Sequence, residues 1–413
     1  YTCAFGAKST ASGYKSCATV VNSSAFGYKS CTSGLGNSTA IGNLSCATHE
    51  SATVVGKGAV ASGCYSSSFG FQTTASGKSS TVVGMNSQST GECSQAFGSN
   101  SCATQNCATA IGHQSCAIQI KSTAIGYYAK STADSASAFG NQSCSTGVWS
   151  TAVGGFSQAT GACSTASGYK SCATGDKSSA FGRNSKATGT DSIALGYSSC
   201  ADGQRTVALG WMTKALGGNG TASGYMSCTD GTASNAFGHK SYATAHCSTA
   251  VGHCSQVTGN RSNAFGQRSC ATGVSSSAFG ACSCATGDCS SALGYFSCAS
   301  FAHSFAIGLY SRGTAAGASA FGFYACATDT GTSASGYWSC ATGLKSSASG
   351  YCAVATGDNS SAFGHQSCAT GHHTTAIGYR ACAIVTNGVA AVSYTHLRAH
   401  ETRHDLVCRL LLE

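Results

Sequence analysis

Proline is absent from the 413 residues, and charge is scarce: Asp, Glu, Lys and Arg together make up 8% of the chain. Leucine is also rare, while Ala, Ser, Thr and Gly dominate, so a thick core of large side chains is excluded. No apolar run is long enough to cross a bilayer as a helix. The Lys and Arg residues form no cluster, which excludes a nucleic-acid footprint. The 13 acidic residues are scattered, and no paired carboxylates, Ser-His-Asp set or phosphate loop emerges, so the chain reads as a non-enzyme that needs no cofactor. What remains is 54 Gly, 27 Cys and a net charge of +9. A disordered Gly/Ser linker would place its glycines irregularly.

The glycines are regular. Every fourteenth residue from Gly42 through Gly56, Gly182, Gly196, Gly266 and Gly280 to Gly378 is glycine. Gly13 and Gly27 continue the series upstream after one inserted residue near 34–36. A fixed period of this kind marks a solenoid. Each coil divides into two sevens of the form S-x-A-x-G-x-x, as in Ser178-Ser179-Ala180-Phe181-Gly182 followed by Ser185-Lys186-Ala187-Thr188-Gly189. Alternation closed by Gly and two free positions predicts a short strand and a tight turn. Gly every seven residues excludes a helix. The ladder is expected to span residues 1–391 as one continuous array. Tyr1-Thr2-Cys3-Ala4-Phe5-Gly6 already fits it, so the chain is expected to begin within the array, as a fragment. From Val392 the text changes, and residues 392–413 read as the translation of an adaptor sequence, a non-native tail.

Strand alternation assigns the faces. The Ser and Ala of each seven point one way and are expected to fill a thin interior. In the first half of each coil, the residue before the ladder glycine then points outward and is usually large and apolar: Ile41, Phe69, Phe97, Ile111, Ile125, Phe139, Phe181, Leu195, Phe237, Phe265, Phe279, Ile307, Phe321, Phe363 and Ile377. Such a stripe should not remain in water, and each side chain contributes about 1.5–3 kcal/mol when buried. Its expected cover is the same stripe from identical chains, which makes it an oligomer seam. The alternative packing turns Phe inward and Ala outward. In the second half the outward pair is typically Cys and Thr, as in Cys172/Thr174.

Seventeen of the 27 cysteines occupy one coil position, four residues after the ladder glycine. Coils about 4.7–4.9 Å apart satisfy the separation that disulfides need. Vertical pairs are therefore candidates at Cys102/Cys116, at Cys284 with Cys270 or Cys298, at Cys326/Cys340 and at Cys368/Cys382. Lys186 and Lys214 interrupt the row, so a complete disulfide ladder is excluded. A metal site would need repeated Cys and His spacings. Cys282-Ser283-Cys284 and His372-His373 are the best fragments, neither has a matching second pair, and no metal is expected. The Thr row (Thr132, Thr146, Thr160, Thr174, Thr188, then Thr244 to Thr286) suggests an ice-binding face, although Asp202, Asp230 and several Lys interrupt it or its neighbour. The residue after the ladder glycine is often aromatic or His, as at Tyr127, Tyr169, Trp211, Tyr337 and Tyr351, and would form a ridge suited to protein or glycan contact.

The repeat S-x-A-x-G-x-x-S-x-A-T-G resembles the head repeats of trimeric autotransporter adhesins, the YadA-like family. Ser122-Thr123-Ala124-Ile125-Gly126 and Asp191-Ser192-Ile193-Ala194-Leu195-Gly196 come nearest to that family's core motif. The resemblance implies an all-β, left-handed parallel β-roll of 14-residue coils, a homotrimer with the apolar outward strand at its seam, and a surface-exposed head that binds host matrix, cells or glycans. In the family the head is anchored to the outer membrane. Similar repeats occur in fibre-like proteins of large viruses, which adds a virion surface as a location. An ice-binding solenoid and a purely structural spacer are the other functions carried forward.

Overall fold

Fourteen residues make one closed coil because two short strands are joined by two turns that reverse the chain without side-chain obstruction. The computed structural model describes residues 1–392; of the tail expected at 392–413, all but Val392, which pairs with Gly378, lies outside the described residues. The described chain falls into two compact units, Tyr1–Gly218 and the residues from Asn219 onward. Both are parallel β-solenoids, and no helix occurs among the described residues.

In the first unit, a representative coil consists of strand Ser179–Phe181 in one sheet and strand Lys186–Ala187 in the other. Each strand stacks in parallel register on its counterpart 14 residues later, Ala180 on Ala194 and Phe181 on Leu195, Lys186 on Cys200 and Ala187 on Ala201. The second unit repeats the arrangement, with Phe265 on Phe279 and Cys270 on Cys284. The inserted residue is absorbed in the loop at 34–36: Ser24 pairs with Thr39 and Cys31 with Cys46, fifteen residues on, and the stack continues in register.

The interior is as thin as the sequence predicts. Ala180, Ala187 and Ala194 are fully buried, and the largest fully buried apolar side chains are Val54, Val82 and Val257. Phe181 and Leu195 remain 37% and 48% exposed, so the packing with Phe inward is excluded. A lining of Ala buries little apolar area per coil. The coil-to-coil hydrogen bonds therefore carry much of the cohesion, at roughly 0.5–1.5 kcal/mol net apiece. Cys172 N–H donates to Ser185 O at 2.9 Å, Thr174 N–H to Ala187 O at 2.9 Å, and Gly182 N–H to Ser167 O at 2.8 Å. At many coils, though not at Ser178 or Ser192, a buried serine three residues after a turn glycine closes the turn itself. Ser185 Oγ donates to Gly182 O at 2.9 Å and Ser150 Oγ to Gly147 O at 2.6 Å. Threonine does the same from Thr206 and Thr374, which explains why hydroxyl residues recur at a fully buried position.

The two glycines of a coil are not equivalent. Gly182 sits at φ +119, and a Cβ there would lie 2.5 Å from the carbonyl oxygen of Gly196 on the next coil. Conformation and contact both demand glycine. Gly189 lacks the left-handed φ, although a Cβ there would lie 1.9 Å from Gly203 O. A backbone shift can relieve that approach, and Gln105 and Phe301 stand at the equivalent position elsewhere. Hence the first glycine ladder is unbroken and the second is not. Gly182→Ala is expected to destabilise the fold by about 2 kcal/mol or more, from strain plus clash, and Gly189→Ala by clearly less. Urea unfolding of the two variants followed by circular dichroism checks the order; equal losses would contradict it.

Candidate functional site

The outward residues fall into columns, because register stacks each coil position on itself. The first column holds the apolar row. Ile111, Ile125 and Phe139 lie one above the other, and the Phe265 and Phe279 rings stack at 5.0 Å and 2°. Along the row from Ile41 to Ile377 the side chains are half-buried or exposed, on the face opposite to the buried alanines. Serines break the row: Ser335 and Ser349 lie between Phe321 and Phe363.

The second column follows the ladder glycine. In the first unit Tyr14 stacks on Tyr28 at 5.3 Å, His113 on Tyr127 at 5.2 Å and Tyr197 on Trp211 at 4.2 Å. Where Arg183 takes the aromatic's place, its guanidinium lies 5.8 Å from the rings of both Tyr169 and Tyr197, so a cation–π bridge continues the column. In the second unit Phe323, Tyr337, Tyr351, His365 and Tyr379 form a run of near-parallel rings 4.8 to 5.1 Å apart. A further column beside it, Phe296, Tyr310 and Tyr324, escaped the sequence reading. Its members occupy the left-handed turn position (Tyr310 φ 56), where aromatic residues are not ordinarily sought.

The opposite face carries Cys and Thr. Thr90 Oγ1 donates to Thr104 O at 2.8 Å, Thr104 Oγ1 to Ile118 O at 3.0 Å and Thr286 Oγ1 to Ser300 O at 3.1 Å. These hydroxyls serve the stack rather than standing free toward solvent. Several acids have a structural task as well. Asp176, Asp288 and Asp358 each accept a backbone N–H from the coil before, at 2.9, 2.8 and 3.0 Å. Of the sequence's metal fragments, Cys282 and Cys284 line a shallow groove with Phe296, Cys298, Tyr310 and Arg312. His372 pairs with Asp358 at 3.5 Å.

A family model described as the YadA head domain repeat matches residues 4–30, 18–45, 61–87, 117–143, 145–171, 173–199, 201–225, 285–311, 341–367 and 355–381, together more than half of the chain. The chain belongs to this family. As a YadA head repeat protein it is an adhesin-like repeat domain. Among solved structures, the collagen-binding domain of the Yersinia adhesin YadA is 23% identical, over 44% of this chain and 69% of that one. The TM-score is 0.18, too low to carry an argument. No curated protein sequence matches the chain.

On this YadA head repeat the cysteines are free thiols among the described residues, and register brings them into vertical runs. Cys102 lies beside Cys116, Cys270 beside Cys284 and Cys284 beside Cys298, Cys326 beside Cys340, and Cys368 beside Cys382. A further run of Cys3, Cys17, Cys31 and Cys46 is continuous across the insertion, which the sequence reading had not paired. Lys186 separates Cys172 from Cys200, as expected.

The pairs behave unlike isolated thiols. When one sulfur ionises, its neighbour's S–H donates to it, so the first proton leaves at about 7 in Cys102/Cys116 and Cys326/Cys340, while the second is held far higher. Cys172 has no such partner; burial raises it, against the pull of Lys186. Thiolate, the reactive form, therefore appears in the pairs as pH rises through about 7 and in Cys172 only in more alkaline solution. Iodoacetamide labelling mapped by mass spectrometry is expected to reach half-maximal rate near pH 7 at one cysteine of Cys102/Cys116 and of Cys326/Cys340, and only in more alkaline solution at Cys172. A common profile for all three would refute the pairing.

Proposed function

We propose that the chain is a non-enzymatic, surface-exposed adhesive segment of homotrimeric form that attaches to an extracellular matrix protein or glycan. The observation that carries the adhesive reading is the solvent-facing aromatic column. Tyr337, Tyr351 and Tyr379 are 44%, 46% and 57% exposed, and stacking fixes their rings before any partner arrives. Rings that are already ordered lose little entropy on contact, and their faces suit the apolar faces of sugars or the side chains of an extended protein.

The apolar row supports the trimer. Ile41, Leu195, Phe363 and Ile377 are 41% to 49% exposed, a pattern that leaves apolar area to bury against other copies. The continuous array over residues 1–391 and a cell or virion surface as its location belong to the same reading. The vertical cysteine pairs fit an oxidising exterior, where exchange with an external disulfide would move two electrons to that oxidant and link neighbouring coils.

The full chain is expected to bind at least one member of a panel of immobilised collagen, fibrous matrix proteins and glycans. Replacing Tyr337, Tyr351 and Tyr379 together with Ala should weaken that binding about tenfold or more, the loss of at least 1.4 kcal/mol typical of aromatic anchors. Unchanged binding by the triple variant would move the contact off the column. Binding to nothing on the panel, accompanied by thermal hysteresis, would replace the adhesive reading with ice binding.

A further inference from the structure

The geometry points to a metal site for a borderline-soft divalent cation of the Zn²⁺ type, formed by His239, His253 and Cys254. The donor set is two imidazoles and a thiol whose ligand atoms all lie within 4.8 Å of one another. Short Cys and His spacings along the chain do not mark this site. Here the first spacing is one full coil. His239 follows ladder glycine Gly238 and His253 follows Gly252, so the stacking of Phe237 on Val251 places the second imidazole directly over the first.

The two rings lie 4.8 Å apart and 12° from parallel. Cys254 occupies the left-handed turn position, φ 55, and its Sγ lies 3.9 Å from His253 Nε2. Its backbone N–H donates to His239 O at 2.8 Å, which ties the thiol-bearing turn to the coil below. Tyr225 stacks on the other face of His239 at 4.9 Å and 5°, so that imidazole is oriented before any ion arrives.

Zinc binds imidazole nitrogen at about 2.0–2.1 Å and thiolate at about 2.3 Å, which sets donors in a tetrahedral site roughly 3.3–3.8 Å apart. The three donors therefore need to close by about 1 Å, through side-chain rotation alone. Both histidines are exposed and Cys254 is half-exposed, so the movement has to tilt only the stacked rings of Tyr225, His239 and His253 and meets no buried side chain. Cys loses its proton to the solvent on binding, the histidines bind as neutral imidazoles, and water takes the fourth position. The neighbouring His246–Cys247 pair, at 3.2 Å, brings together only two such donors, and His365 lies between the rings of Tyr351 and Tyr379. Both serve as internal controls. The assignment does not depend on the adhesive reading.

The test is a zinc titration of the full chain under a phosphine reductant. Diethylpyrocarbonate modification of histidines and alkylation of cysteines are then read residue by residue by mass spectrometry, so the other thiols do not confuse the result. His239, His253 and Cys254 are expected to become protected together, at least fivefold and with one shared zinc midpoint, while His365 and Cys172 keep their rates. His239→Gln and Cys254→Ser should each release the other two ligands from protection. Absence of protection, protection at separate zinc concentrations, or protection of Cys254 that survives His239→Gln would overturn the site.

Discussion

The turn backbone of one coil approaches that of the next so closely that no side chain fits between them at the ladder glycine, and the rest of the structure depends on that contact. At Gly182 the next coil's carbonyl lies where a Cβ would stand, and φ is +119. With both conditions met by glycine, coil follows coil in register, and Gly182 N–H reaches Ser167 O. Each 14-residue coil then needs no thick core: Ala fills the interior, and at many turns a Ser hydroxyl donates to the turn carbonyl. Repeat arrays are held by nearest-neighbour terms of this kind, summed along the chain.

A second consequence follows from the thin interior. Small residues inside push every large side chain to the outside, where register sorts them into columns. Phe265 over Phe279, His365 over Tyr379 and Cys102 beside Cys116 are three chemical outcomes of one geometric rule. A column of apolar groups offers a seam, a column of rings offers a rigid contact surface, and a column of thiols shares protons. Any chemistry placed at i and i+14 becomes chemistry between neighbours.

Much of this was legible in the sequence because glycine spacing and strand alternation are strong local signals. The coil length, the inward alanines, the outward Phe and Ile row and the cysteine pairs from Cys102/Cys116 to Cys368/Cys382 all follow from counting. What escaped required knowledge of how a turn or an insertion is accommodated. The vertical run through Cys31 and Cys46 depends on the loop at 34–36 absorbing one residue. The column through Phe296, Tyr310 and Tyr324 depends on aromatic residues tolerating a left-handed conformation. The clamps made by Asp176, Asp288 and Asp358 join a side chain to the coil before, a contact that no local pattern marks.

The central claim is that the outward apolar row is covered by other copies of this chain. Its most direct test is the molar mass of the full chain in solution, measured by multi-angle light scattering with and without reductant. The proposed trimer predicts three times the 40.9 kDa chain mass under both conditions, because an apolar seam would not depend on disulfides. A stable monomer, or a larger assembly that falls to monomer when disulfides are reduced, would contradict it.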